Sequence, residues 1–310
     1  MTIIWVLCRL NAGMTLRCGV NMMRPSIFAS FLRAVRAGGL RDADTCVRLC
    51  AETGCEYLDY SPDFSSEDWL AETRLAADAA ERYGIRITQC HAPYNFYKKE
   101  PVERFRLLLD RAAEGARILG VKDLVFHFDE YHPAPGEAFD AEKGLARARE
   151  VLEDAINKTV SFGINAALEN PFEDHHRVGP EERSHLCAEI EELESAIQMF
   201  GDSRVTCCWD FGHAHLQFGA LQADMIRRMG RRITCTHAHD NYYGKDLHLM
   251  PFYGQLDWET LIPALQNTGY SGTLAFEAGY GRFPDEILGE FLSLSRHAME
   301  LLCGYADSPN

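Results

Sequence analysis

The sequence predicts one α/β domain, a (β/α)8 barrel with its strands parallel and its helices outside. Three observations predict it. Short apolar runs alternate eight times with stretches of helical period. The runs are near-continuously apolar, as strands covered on both faces must be. Glycines such as Gly84 and Gly120 stand where a helix would end and turn toward a strand. The strand segments are 16–20, 56–60, 86–90, 123–128, 165–169, 205–210, 233–237 and 273–277. The first, LRCGV, follows Met14; the rest read EYLDY, RITQC, DLVFHF, NAALE, VTCCWD, ITCTH and TLAFE. Helical patterns fall at about 42–53, 67–83, 101–119, 140–162, 183–200, 220–229, 257–268 and 285–303. Several open on polar or acidic cap residues, as in SSEDW and LDWET. A doubly wound open sheet competes with the barrel. It carries a glycine-rich phosphate turn after its first strand, and GVNMMRP is no such turn. No linker divides the chain, so 14–304 is read as the barrel and 305–310 as a tail. Residues 1–13 read as a misassigned start or a disordered tail. They lack the basic region and cleavage site of a signal peptide.

Composition narrows the function classes. The chain has 310 residues, 46 acidic and 31 basic, for a net charge of −15. Broad nucleic-acid binding needs a basic face, so nucleic acid is not an expected partner. No apolar run approaches a membrane span. The eleven cysteines are odd in number, form no CxxC and sit in apolar runs such as VTCCWD. That usage fits buried thiols in a reducing, cytoplasmic compartment.

Residues with metal-binding chemistry recur at the carboxyl ends of successive strands: His91, His127, Glu169, Asp210, His237 and Glu277. In a (β/α)8 barrel those ends converge on one face, where active sites lie. His213 and the Asp246-x-His248 pair add loop ligands, giving four carboxylates and five imidazoles. Singly, each has a plainer reading: a helix cap for a carboxylate, a hydrogen-bonded core residue for a histidine. Together they resist it, because unpaired carboxylates crowded at a barrel mouth repel and lose solvation unless a cation compensates. His239 shares an extended face with His237 and is read either as a support behind the ligands or as a substrate contact. Tyr94, Trp209 and Phe172 are read as an aromatic wall. His132, His175, His176, His185 and His297 are read as solvated.

The motifs HAPY (91–94), VFHF (125–128), ALENPF (166–171), WDFGHAH (209–215), HAHDN (237–241), DLH (246–248) and AFEAG (275–279) carry a resemblance. The chain resembles the xylose-isomerase-like TIM-barrel superfamily, which holds sugar isomerases and epimerases and the endonuclease IV type of repair enzyme. The resemblance implies a divalent metal (manganese, zinc, cobalt or magnesium) held by Glu169, Asp210, His237 and Glu277. The endonuclease branch adds His91, His127, His213, Asp246 and His248 to make a three-zinc site, and all nine positions are filled here. One ion is expected, with up to three possible.

Two reaction classes follow. With one ion, Glu169 and Glu277 act as the catalytic acid–base pair of a sugar isomerase or epimerase, moving a proton on the carbon beside a carbonyl. With three, the site suits a phosphodiester. HAHDN followed by DLHLMPFYGQLDW resembles the sugar-isomerase branch. Ketose 3-epimerases of that kind carry an arginine six residues after the histidine; here Tyr243 stands there, and Phe252 and Tyr253 follow. These departures favour an aromatic or glycosylated carbohydrate, and leave open a metal-dependent lyase or deglycosidase subunit acting on a keto-glycoside. A small accessory subunit or a second copy of the chain is compatible with this reading.

Overall fold

The computed structural model describes residues 23–35, 38–95, 100–128, 131, 133, 137–173, 183–279 and 283–305. Its strands are β1 Arg24–Phe28, β2 Tyr57–Asp59, β3 Arg86–His91, β4 Asp123–His127, β5 Asn165–Glu169, β6 Val205–Asp210, β7 Ile233–Ala238, a hairpin of β8 Asp240–Tyr242 and β9 Lys245–Leu249, and β10 Thr273–Phe276. Eight of them close a parallel barrel in the order β1-β10-β7-β6-β5-β4-β3-β2, with the β8–β9 hairpin apart. The helices outside are α1 Ala43–Glu52, α2 Trp69–Tyr83, α3 Val102–Leu119, α4 Ala141–Ser161, α5 Ile190–Gln198, α6 Phe211–Phe218, α7 Gln222–Met229, α8 Trp258–Gln266 and α9 Asp285–Tyr305. The α2 and α3 helices end on Gly84 and Gly120 at φ 71° and 68°, the left-handed cap their sequence calls for. No described helix is long and apolar enough to cross a membrane.

One sequence expectation is corrected. The segment 16–20 read as the first strand lies outside the described residues, as do 1–13 and 306–310. The place between β10 and β2 belongs to Arg24–Phe28, whose Ser26 pairs with Ala275 and Ile27 with Leu58. Arg24 and Pro25 disguise this strand, since proline lacks a donor and is tolerated only at a strand's beginning or edge. The fifth helix begins at Ile190 rather than 183, and the helix Phe211–Phe218 and the β8–β9 hairpin are additions to the expected plan.

Strand parity decides what each residue faces. Leu124, Phe126, Ala166, Leu168, Cys207 and Trp209 join the large apolar layer between barrel and helices. Val125, Ala167, Cys208 and Cys235 form a separate small cluster inside the barrel. Each fully buried side chain of leucine size contributes roughly 1.5–3 kcal/mol. The interior plug of small residues lets the next inward positions, His127, Glu169, Asp210 and His237, stand above it. Register places them side by side, His127 opposite Glu169 and Asp210 opposite His237. The nine described cysteines are free and all but Cys303 are buried, as expected of small apolar packing.

Asp240 organises the chain after β7. Its carboxylate is fully buried and accepts from the backbone N–H of Asn241, Phe252 and Leu256 and from Trp258 Nε1, at 2.9 to 3.1 Å. Gly254 is needed there because a Cβ would collide with that carboxylate. Replacing Asp240 with alanine strands several buried donors at once. We expect Asp240→Ala to lower stability by about 3 kcal/mol or more, read as a fall in the denaturant midpoint. An unchanged midpoint would show that the loop is held by other contacts.

Candidate metal centre

Glu169 ends β5 with 2% of its surface exposed, and four imidazoles surround its carboxylate. His91 Nε2 lies 3.0 Å and His127 Nε2 3.2 Å from Oε2, while His237 Nδ1 lies 3.0 Å and His213 Nδ1 3.5 Å from Oε1. Burial alone would raise the Glu169 pKa, but the neighbouring imidazoles, His237 foremost, hold it well below the usual carboxylate range. Glu277, one residue beyond β10, brings Oε2 to 3.2 Å from His237 Nδ1, and Asp210 Oδ2 is 3.8 Å from the same nitrogen.

Asp210 does two jobs. Oδ1 accepts from the backbone N–H of His213 at 2.7 Å, capping the helix Phe211–Phe218 at its N-terminus. The cap swings the first turn over the barrel mouth and so delivers His213. Asn170 locks this arrangement, donating to Asp210 O at 3.0 Å and accepting from Asp210 N at 2.8 Å, while its own carbonyl lies 3.0 Å from His213 Nδ1. The glycine of WDFGHAH has a local reason: a Cβ on Gly212 would run into the His239 ring.

The hairpin brings in the last candidate ligands. His248 Nε2 is 3.2 Å and His213 Nε2 3.7 Å from Asp246 Oδ2, and His239 Nε2 is 3.8 Å from Asp246 Oδ1. Tyr243, His248 and Phe252 all adopt positive φ, at 55°, 48° and 75°. Backbone strain of this kind in side-chain-bearing residues concentrates at functional sites.

Three groups of potential ligands result, each with its ligand atoms within 4.8 Å of one another: Glu169, Asp210, His237 and Glu277; His91, His127 and Glu169; and His213, His239, Asp246 and His248. All nine expected ligands therefore converge. The donor set, mixed imidazole and carboxylate, fits zinc, manganese or another borderline divalent ion. Asp246 Oδ1 is buried without a hydrogen-bond partner, as an oxygen reserved for a cation would be.

Other expectations are narrowed or changed. Trp209 shares the outward face of β6 with Cys207, is fully buried and stacks on Phe218 at 6.2 Å, so it does not reach the cleft. His239 is fully buried beside Asp210, 3.2 Å from its carboxylate, and its ring stacks at 4.1 Å on His248. It belongs to the third ligand group rather than to the cleft surface. Tyr94 does line the cleft, 56% exposed, 5.1 Å from the His127 ring. Phe172 lies 5.1 Å from His213, and Phe31, which the sequence reading missed with its strand, packs 6.5 Å from His248. The cleft above the ligands is about 1490 Å³ and is walled by these three rings together with Phe28 and Phe64. His185 also lines it, against the expectation of a solvated residue. It neighbours Glu173, a carboxylate the sequence reading passed over, which accepts from the N–H groups of Ser184 and His185 and pins the strand-five loop. His132, His175 and His176, read as solvated, lie outside the described residues.

The histidine pKa values link the site to pH. Burial lowers His248, but the bond to Asp246 and the charge of Glu277 outweigh it and raise the group to about 9. Burial likewise opposes His213 and His237, and the charges of Asp210 on the first and of Glu277 and Glu169 on the second lift both well above 6.5. His127 goes the other way: burial, unrelieved by the crowded imidazoles, lowers it to about 3. In the metal-free protein the charged His248 contributes stability that is fully present below pH 6.5 and is lost as pH rises through about 9. An ion must displace such protons. Apparent affinity for zinc should therefore climb from pH 6.5 to about 9, with proton release on binding measurable by calorimetry in buffers of different ionisation enthalpy. A flat profile would mean that the ion engages none of these imidazoles.

Comparison with known proteins places this geometry. The family model described as xylose isomerase-like TIM barrel matches residues 47–298. The uncharacterised protein y4fM of Sinorhizobium fredii is 41% identical, over 76% of this chain and 80% of its own length. Among solved structures, a D-tagatose 3-epimerase-like protein superposes with a TM-score of 0.68 at 21% identity, covering 90% of this chain and 98% of that one. The IolI protein, crystallised with a zinc atom, gives a TM-score of 0.67 at 15% identity, covering 92% of this chain and 98% of that one. At these identities the structural likeness is one of fold.

Proposed function

Because the chain belongs to the xylose isomerase-like TIM-barrel family, we propose that it is a divalent-metal-dependent sugar isomerase or epimerase that moves a proton on the carbon beside a carbonyl. The carrying observation is the pair Glu169 and Glu277. They reach His237 Nδ1 from strands β5 and β10, at 3.0 and 3.2 Å, on the floor of an aromatic-walled cleft. Glu169, Asp210, His237 and Glu277 would hold the ion, which would polarise a substrate carbonyl and its neighbouring hydroxyl. One of the two glutamates takes the α-proton, the C–H electron pair moves onto the carbonyl oxygen as an enediolate, and a carboxylic acid returns a proton to carbon. Return to the same carbon from the opposite face gives epimerisation; return to the former carbonyl carbon, with the hydroxyl proton passing from the new carbonyl oxygen to the old one, gives isomerisation. Tyr94, Phe172 and Phe31 give the apolar face of a sugar ring, or an attached aromatic or glycosyl group, surface to stack on. A keto-glycoside lyase would begin with the same abstraction and use the same pair.

Support for a second reading comes from the three ligand groups themselves. Glu169 belongs to two of them, and Asp210 links the central group to His239 of the third at 3.2 Å. Such an array could hold three zinc ions and act on a phosphodiester. Metal content of protein purified without chelator separates the two: about one ion per chain supports carbonyl chemistry, and three call for an abasic-site cleavage assay. On a substrate found by screening ketoses and keto-glycosides for solvent-proton exchange, Glu169→Gln and Glu277→Gln should each slow exchange by about 10²-fold or more. Exchange retained in both variants would end the proton-transfer assignment.

A further inference from the structure

His237 faces two ways. Nδ1 points to Glu169 and Glu277, whereas Nε2 points into the barrel, where Asp59 Oδ2 lies 3.5 Å away. Both side chains are fully buried, and Nε2 makes no hydrogen bond among the described residues, the Asp59 carboxylate at 3.5 Å being the acidic group that faces it. Asp59 ends β2 and is held from its other side. Gln89 Nε2 donates to the same Oδ2 at 2.8 Å and to the carbonyl of Thr236 at 3.3 Å, tying Asp59 to the strand that carries His237. Phe28, paired with Asp59 across β1 and β2, packs edge-on to the His237 ring at 5.8 Å and limits its rotation.

We propose that Asp59 is a positioning residue: it holds His237 in the tautomer protonated at Nε2, leaving the Nδ1 lone pair directed at the ligand set. The proposal rests on the metal-site reading given above. A neutral imidazole has one donor and one acceptor nitrogen. A buried Nε2–H needs an acceptor, and Asp59 is the carboxylate placed to become it when the ring settles onto an ion. Without Asp59 the proton is better placed on Nδ1, where Glu169 and Glu277 accept it, and the lone pair of that form sits on Nε2, facing away from the ligand set. Histidines that ligate metals commonly donate their second N–H to a carboxylate for this reason. A purely structural Asp59 would instead serve the fold whether or not an ion is bound.

The test compares Asp59→Ala and Asp59→Asn with the unaltered protein. Zinc affinity is measured by competition with a chromophoric chelator, the metal-free melting midpoint by calorimetry, and the His237 Nε2–H by ¹H–¹⁵N spectra of the zinc-loaded chain. Asp59→Ala should lose about 10- to 100-fold in affinity and the protected Nε2–H signal, with a modest fall in the metal-free midpoint because Gln89 keeps only its bond to the Thr236 carbonyl. Asp59→Asn, whose amide oxygen can still accept from Nε2, should recover most of the affinity. Asp59→Ala binding zinc as tightly as the unaltered chain overturns the proposal alone. So does an affinity loss that only follows a collapsed metal-free midpoint and is no better in Asp59→Asn. An unaltered chain that takes up no divalent ion removes the metal-site reading, and this role with it.

Discussion

A single buried carboxylate surrounded by imidazoles governs the barrel mouth. Glu169 has His91, His127, His213 and His237 within 3.5 Å, so its carboxylate meets an imidazole nitrogen on four sides without leaving the interior. Low-dielectric surroundings would otherwise force it to neutralise. Each imidazole arrives by a different route: β3, β4 and β7 carry three, and the capped helix after β6 carries the fourth. The closed strand order makes these routes meet, and the small residues beneath, Val125, Ala167, Cys208 and Cys235, leave room for them.

Much of this was readable in the residues because strand parity and barrel topology act together. Once a segment such as NAALE is assigned as a strand, its last residue must lie at the rim, and parity with Ala167 turns Glu169 inward. Applied to VTCCWD, the same rule would have turned Trp209 outward; reading it as substrate wall overrode the alternation that Cys208 and Asp210 set. The first strand was hidden because Arg24 and Pro25 look like loop. The helix Phe211–Phe218 was hidden because its sequence, FGHAHLQF, looked like a run of ligands rather than an amphipathic turn.

Residues that support the candidate ligands were harder to see than the candidates themselves. Asp59 and Asn170 stand within the strand-end motifs, yet a buried acid or amide has many roles, and only the three-dimensional pairing with His237 and Asp210 separates them. The Asp240 hub is of the same kind. Its partners Phe252, Leu256 and Trp258 lie 12 to 18 residues away, and nothing in local spacing announces that one carboxylate serves them all.

The double duty of Asp210 bears on how this chain can drift in sequence. A capping position alone tolerates serine, threonine or asparagine at small cost, and an acidic site position alone tolerates glutamate. Asp210 must satisfy both through two oxygens of one short side chain: one receives the His213 amide at 2.7 Å and the other faces His237. Asparagine keeps the cap and forfeits the charge, while glutamate keeps the charge and overreaches the cap. Substitution at Asp210 is therefore narrow on grounds of local geometry alone, before any demand of the chemistry is added.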